Sequence, residues 1–146
     1  MAEEENITTE VPATEATPTA APVRKKKAKR SVPAGHVHVL ATFNNTIVSF
    51  TDTKGNVLVT SSAGACGFRG SKKGTAYAAQ VATEKAGQIA RQTYGMTKAD
   101  VFVDGIGLGR ESAIRALQTV NVQIERITDV TGLPHGGVRP RKSRRV

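Results

Sequence analysis

The stretch HVHVLATFNNTIVSFTDTKGNVLVTSS, residues 36–62, decides the fold. Its first part alternates, placing Val37, Val39, Ala41 and Phe43 on one face of a strand. A second apolar run, TIVSFTD, follows after only Asn44-Asn45. Asn tolerates positive φ, so this pair is expected to form a two-residue hairpin turn. DTKGN (52–56) is a further turn, in which Asp is the expected residue for bonding its own backbone. It leads into VLVTSS (57–62). Three adjoining antiparallel strands are expected.

Downstream the period changes. Between about Thr75 and Thr93, residues Ala78, Val81, Ala82, Ala86, Ile89 and Ala90 recur at three- and four-residue spacing. Gln80, Thr83, Glu84, Gln88 and Arg91 take the other side. The spacing predicts an amphipathic helix with a buried face of small residues, fit for close packing on a sheet. Tyr94-Gly95 ends it. ADVFVDGI reads as a buried strand, RESAIRALQTV as a second helix and VQIERITDV as a fifth strand. The order β-β-β-α-β-α-β predicts an α/β fold with a mixed five-stranded sheet covered by helices. Residues 1–30 contain too few large apolar side chains to offset the entropy of ordering, and disorder is expected there. A domain is expected over 31–130 and a tail over 131–146.

Charge is arranged unevenly. The 146 residues carry a formal net charge of +9, and eleven of the 21 Lys and Arg lie in two short flanking runs. VRKKKAKR (23–30) supplies Arg24, Lys25, Lys26, Lys27, Lys29 and Arg30. The closing PHGGVRPRKSRRV supplies Arg139, Arg141, Lys142, Arg144 and Arg145, with Pro134 and Pro140 unable to donate to either ladder. Before them, residues 1–22 hold five acids and no base. A near-neutral body with two basic arms is the footprint of a nucleic-acid binder. One cysteine, Cys66, allows no intramolecular disulfide framework, and a reducing compartment is expected. No apolar run approaches the roughly 20 residues of a membrane span. The acidic start fits neither a secretory nor an organellar signal, so a cytoplasmic location is expected.

Two loops carry the chemistry. AGACGFRGSKKGT (63–75) brings Gly64, Gly67, Gly70 and Gly74 together with Arg69, Ser71, Lys72 and Lys73. It runs into a helix start whose unpaired N–H groups favour anions. Phe68 could stack on a base, but an isolated aromatic more often plugs the core. DGIGLGRES (104–112) holds Gly105, Gly107 and Gly109 before Arg110. Its G-x-G-x-G spacing is not the dinucleotide fingerprint, and a phosphate contact by Arg110 and the glycine amides is the favoured expectation. Asp52, Asp104 and Asp129 each lie near a strand end, where three carboxylates could hold Mg²⁺ for a nuclease. Asp52 already has its turn to serve, however, and the other two can neutralise neighbouring bases. His36, His38 and His135 form no ligand-like group, so neither metal nor cofactor is expected.

Four segments together carry a resemblance: ATFNNTIVSFTDTKGN, SSAGACGFRGSKKGTAYAAQVA, GIGLGRESAIRAL and ITDVTGLPHGGVRPRKSRRV. In that order they resemble the S-eleven family of small-subunit ribosomal proteins, from about Ser31 to Val146. The resemblance implies a three-layer α/β/α sandwich like that of ribonuclease H without its catalysis. It also implies a structural role on the platform of the small subunit, bridging helices of 16S rRNA beside the Shine–Dalgarno cleft. Proteins S-seven and S-eighteen and initiation factor three are the implied neighbours. The RNA-binding set expected on this basis adds Asn44, Asn45 and His135 to the loop and arm residues above. The chain departs from the bacterial pattern at Asp104, Ile106 and Leu108 around the three glycines, and at Gly136, Val138 and Arg141 in the tail.

Overall fold

The computed structural model describes residues 31–142. Seven regular elements follow in order: β1 (Ala34–Ala41), β2 (Thr46–Asp52), β3 (Val57–Ser62), α1 (Ala76–Tyr94), β4 (Lys98–Asp104), α2 (Gly109–Thr119) and β5 (Gln123–Asp129). The sheet order is β3-β2-β1-β4-β5. β1 to β3 form an antiparallel meander, while β4 runs parallel to β1 and β5 parallel to β4. The central strand β1 is therefore paired antiparallel on one side and parallel on the other.

Alternation sorts the sheet into two unlike faces. Val37, Val39, Val48, Phe50, Val101 and Val103 point into one core with Ala86, Ala90, Ala113 and Leu117 of the helices. Both helices lie on this face and pack on each other, α1 over β2 and β3, α2 over β1 and β5. The described residues thus form two layers, and the three-layer arrangement expected from the resemblance is not seen among them. The reason is topological. The β3-to-β4 and β4-to-β5 crossovers step in the same direction across the sheet, and right-handed connections then lay both helices on one side. The other face carries His36, His38 and Phe102. The His38 and Phe102 rings stack at 5.2 Å, and His36 meets Phe102 edge-on. Burial, and secondarily the neighbouring His36, hold the His38 imidazole below its ordinary pKa.

The helix pair approaches closely because small residues line it. Ala78, Ala79, Ala82, Ala86, Gly87 and Ala90 are all buried, and a Cβ on Gly87 would stand 3.2 Å from Val120. Two assignments from the periodicity are corrected, Ile89 from the buried side and Thr83 from the polar side. Ile89 is 41% exposed, and Thr83, assigned to the polar side, is fully buried. Since α1 presses on both the sheet and α2, its buried stripe is wider than a single face. Thr83 is tolerated there because its hydroxyl donates to the Ala79 carbonyl at 2.9 Å.

The first hairpin is also one residue out of the expected register. Ala41 pairs with Thr46, and the Thr42 amide donates to the Asn45 carbonyl at 2.9 Å, so Phe43 and Asn44 form the corners. Phe43 consequently leaves the inner face and is 70% exposed. The Thr42 side chain selects this register: its hydroxyl donates to the Asn45 carbonyl and accepts from the Asn45 amide. Neither Asn takes a positive φ. The second turn follows expectation, with Gly55 at φ +83° and the Asp52 carboxylate accepting from the Thr53 amide at 2.7 Å.

Glycines then wedge the rest of the chain against that hairpin. A Cβ on Gly74 would lie 2.2 Å from the Phe43 carbonyl oxygen, and one on Gly107 would lie 2.3 Å from that of Thr42. The Gly107 amide meanwhile donates to the Ala41 carbonyl at 2.8 Å. Gly107→Ala should therefore destabilise the domain by about 1–3 kcal/mol through forced overpacking. Gly132→Ala, where nothing lies within 4 Å, should be near neutral. Chemical denaturation of the two variants checks this contrast.

Candidate nucleic-acid interface

One end of the domain gathers the hairpin tip, both glycine loops and both helix starts. The tip (Thr42–Asn45) is gripped by Gly74 just before α1 and by Gly107 just before α2, while Gly105 abuts Ala41 at the end of β1. Loops that sequence separates by some thirty residues are thereby brought to one place. Both helices direct their N-terminal, positive dipole ends there. α1 is capped by Thr75, whose hydroxyl accepts from the Ala78 amide at 3.3 Å. α2 starts with no side-chain cap.

The first loop is not a slack connection. It folds into two short 3-10 turns, Gly64–Cys66 and Gly70–Gly74. Arg69 steadies it by donating to the carbonyls of Gly64 at 2.9 Å and Phe68 at 3.3 Å. Lys85 reaches over from α1 to the Ala65 carbonyl. Ser71 and Lys72 are exposed on the outer side, and Lys73 is half-buried. Phe68 is half-buried rather than fully core, edge-on to the ring of Tyr77 at 5.8 Å.

The second loop differs from its sequence reading. Gly107 and Gly109 are buried, and a Cβ on Gly109 would stand 2.2 Å from the Thr46 hydroxyl. The Gly105 amide donates to the Thr131 hydroxyl and the Gly107 amide to Ala41. These two amides have partners within the protein, so the glycines serve close backbone approach instead of offering a free cradle of amides. Arg110 is likewise engaged. Its guanidinium donates to the Gly105 carbonyl, to the Thr131 hydroxyl at 3.2 Å and to the Asp129 carboxylate.

Asp129 also accepts from the Thr131 hydroxyl at 2.6 Å and the Thr131 amide at 2.9 Å. The Thr131 hydroxyl first, then Arg110, then the Thr131 amide hold this carboxyl well below the usual carboxylate range. Asp52 is committed to its turn, and Asp104 is exposed. Among the described residues no three His, Cys, Asp or Glu side chains group as a metal site. Beyond Thr131 the tail is irregular, with His135, Arg139, Arg141 and Lys142 all exposed. Arg24, Lys25, Lys26, Lys27, Lys29, Arg30, Arg144 and Arg145 lie outside the described residues, as does the expected disorder of 1–30.

Sequence reasoning missed the aromatic and apolar members of this end. Phe43 is 70% exposed at the hairpin tip and Tyr77 is 65% exposed in the first turn of α1. Ile106 and Leu108 stand out from the second loop. The available signal was positional: an aromatic immediately after a basic, glycine-rich loop lies where the loop's ligand would lie.

Bases on turns, loops and an extended tail, interleaved with exposed rings at one end of a rigid α/β body, define a nucleic-acid-binding module. Residues 35–145 match the family model described as Ribosomal protein S11. The chain belongs to that family, which is made of structural ribosomal proteins of the small subunit and not of enzymes. A small ribosomal subunit protein uS11 of Legionella pneumophila (strain Lens) is 57% identical over 122 residues, covering 84% of this chain and 92% of the relative. Counterparts bearing the same name in Alteromonas mediterranea and Saccharophagus degradans are 56% and 53% identical, over 86% and 90% of this chain and 98% and 99% of theirs.

The Asp129 network has a measurable signature. A carboxyl whose pKa is lower folded than unfolded contributes stability above about pH 4, lost only as pH falls through its folded value. A carbon-detected NMR titration should find Asp129 still ionised at about pH 3, and Arg110→Ala should move its midpoint upward toward ~3.9.

Proposed function

We propose that the chain binds 16S rRNA on the platform of the small subunit, where it bridges several RNA helices and borders the Shine–Dalgarno cleft. Its protein neighbours there are S-seven and S-eighteen, with initiation factor three reaching the same region, in the cytoplasm. What carries this reading is the gathering of Asn44, Arg69, Ser71, Lys72 and Lys73 at one end of a rigid domain, with a basic tail leaving from beside them. A body that presents charge at several separated points can hold RNA helices in fixed relative positions, which a flexible basic peptide cannot.

Each element has a distinct task. Lys72 and Lys73 supply point charges to phosphates, and Arg69 keeps their loop in shape while its planar fork remains at the surface. Exposed Phe43 and Tyr77 offer faces on which an unpaired base can stack. The tail bases Arg139, Arg141, Lys142, Arg144 and Arg145, with His135, reach phosphates beyond the domain's edge. The N-terminal run Arg24–Arg30 does so from the other terminus. Gly105, Gly107 and Gly109 contribute by letting the second loop lie flat against the hairpin.

Binding to small-subunit rRNA should therefore weaken linearly in log–log form as salt rises. Lys72→Ala should reduce that slope by about one and leave stability within ~0.5 kcal/mol. Deleting residues 135–146 should lower the slope further and impair entry into the subunit at an unchanged melting temperature. Filter binding across a salt series, and sedimentation with reconstituted subunits, read these outcomes. A slope near zero for the intact chain would refute the electrostatic basis of the proposal.

A further inference from the structure

Arg110 stands apart from the other bases at this end, because its side chain is only 30% exposed and is turned inward. It closes a ring that joins three separate segments: the loop after β4 through the Gly105 carbonyl, the end of β5 through Asp129, and the first tail residue through Thr131. The ring is bonded from every side. The Thr131 hydroxyl accepts from the Gly105 amide at 3.1 Å and donates to Asp129, which also takes the Thr131 amide. A backbone bond from the Val130 amide to the Val103 carbonyl, 2.9 Å long, adjoins it. Past Thr131, the described tail residues make no hydrogen bond to the domain. Among the described residues, the ring is thus the last hydrogen-bonded anchor of the tail.

We propose that Arg110, Asp129 and Thr131 form a clamp that fixes where the basic tail leaves the domain, so that Arg110 is a positioning residue for the tail's RNA contacts. This rests on the rRNA-binding reading above. Its physical basis is effective concentration. A tail with a fixed origin keeps Arg139 and the bases after it close to the RNA that the domain already grips, whereas a tail freed from the end of β5 samples a larger volume. Three of the five N–H donors of Arg110 are already spent on these acceptors, which hold the guanidinium turned inward and leave a phosphate only the other two.

Asp129→Asn separates the two roles of Arg110, because it removes an acid from a basic end. A phosphate-contacting Arg110, released from its carboxylate, would then bind rRNA more tightly. The clamp requires the reverse: affinity for small-subunit rRNA falls roughly tenfold. The salt slope also falls, although no base has been removed. Both effects disappear in the chain lacking residues 135–146. Thr131→Val, which keeps the ion pair and deletes the bridging hydroxyl, should shift affinity the same way and replaces Asp129→Asn if that variant melts early. Wild-type or tighter binding by the variants, or an equal loss in the tail-deleted background, overturns the clamp. An intact chain without salt-dependent rRNA binding overturns the functional reading itself, and the clamp with it.

Discussion

The close approach of two glycine loops to one hairpin tip is the constraint on which the rest of this structure depends. The carbonyls of Ala41, Thr42 and Phe43 stand within about 2.3 Å of where side chains on Gly105, Gly107 and Gly74 would begin. No other residue type could occupy those three places without moving backbone. Since α1 and α2 each follow one of the parallel strands β3 and β4, both begin at this end, and the held tip keeps the loops that precede them together there. The small-residue seam between the helices follows from this arrangement, since helices that start side by side must pack side by side.

Electrostatics at this end divides into charges that hold the protein and charges left for a partner. Arg69 and Arg110 look equivalent in sequence, each an arginine beside glycines before a helix. In the fold Arg69 is exposed and ties down two carbonyls of its own loop, whereas Arg110 is turned inward onto a carboxylate, a hydroxyl and a carbonyl. Lys72 falls on the other side of the division, while Lys85 joins Arg69 in tying down that loop through the Ala65 carbonyl. Lys72 projects outward from its loop, as suits a point charge on a flexible stem.

The sheet was legible in the sequence because period-two alternation in residues 36–62 has one simple solution, and the change to a helical period at Thr75 is unambiguous. What was not legible depended on single side chains choosing between near-equal alternatives. The hairpin moved by one residue because the Thr42 hydroxyl closes the turn twice, and that shift alone took Phe43 from core to surface. Thr83 read as polar and outward, yet a back-bond to Ala79 lets it sit fully buried. The basic loops were found by composition, but composition could not distinguish a glycine that offers its amide from one that merely makes room. Nor could it show that Asp129, Thr131 and Arg110 meet, since that contact joins residues 19 and 21 positions apart.

The position of β1 has a consequence for how the chain is made. Its antiparallel partner β2 follows immediately, so the meander can assemble from local contacts soon after synthesis. Its other edge is filled by β4, whose approach brings Thr97 to Pro33 across 64 residues. Until that stretch has been synthesised, β1 presents an unpaired row of amides and carbonyls, with Val37 and Val39 beside it and no helix to cover them. The nascent polypeptide therefore passes through an interval of exposed strand edge whose length is set by translation speed over residues 53 to 104. Chaperone demand for this protein should be concentrated in that interval.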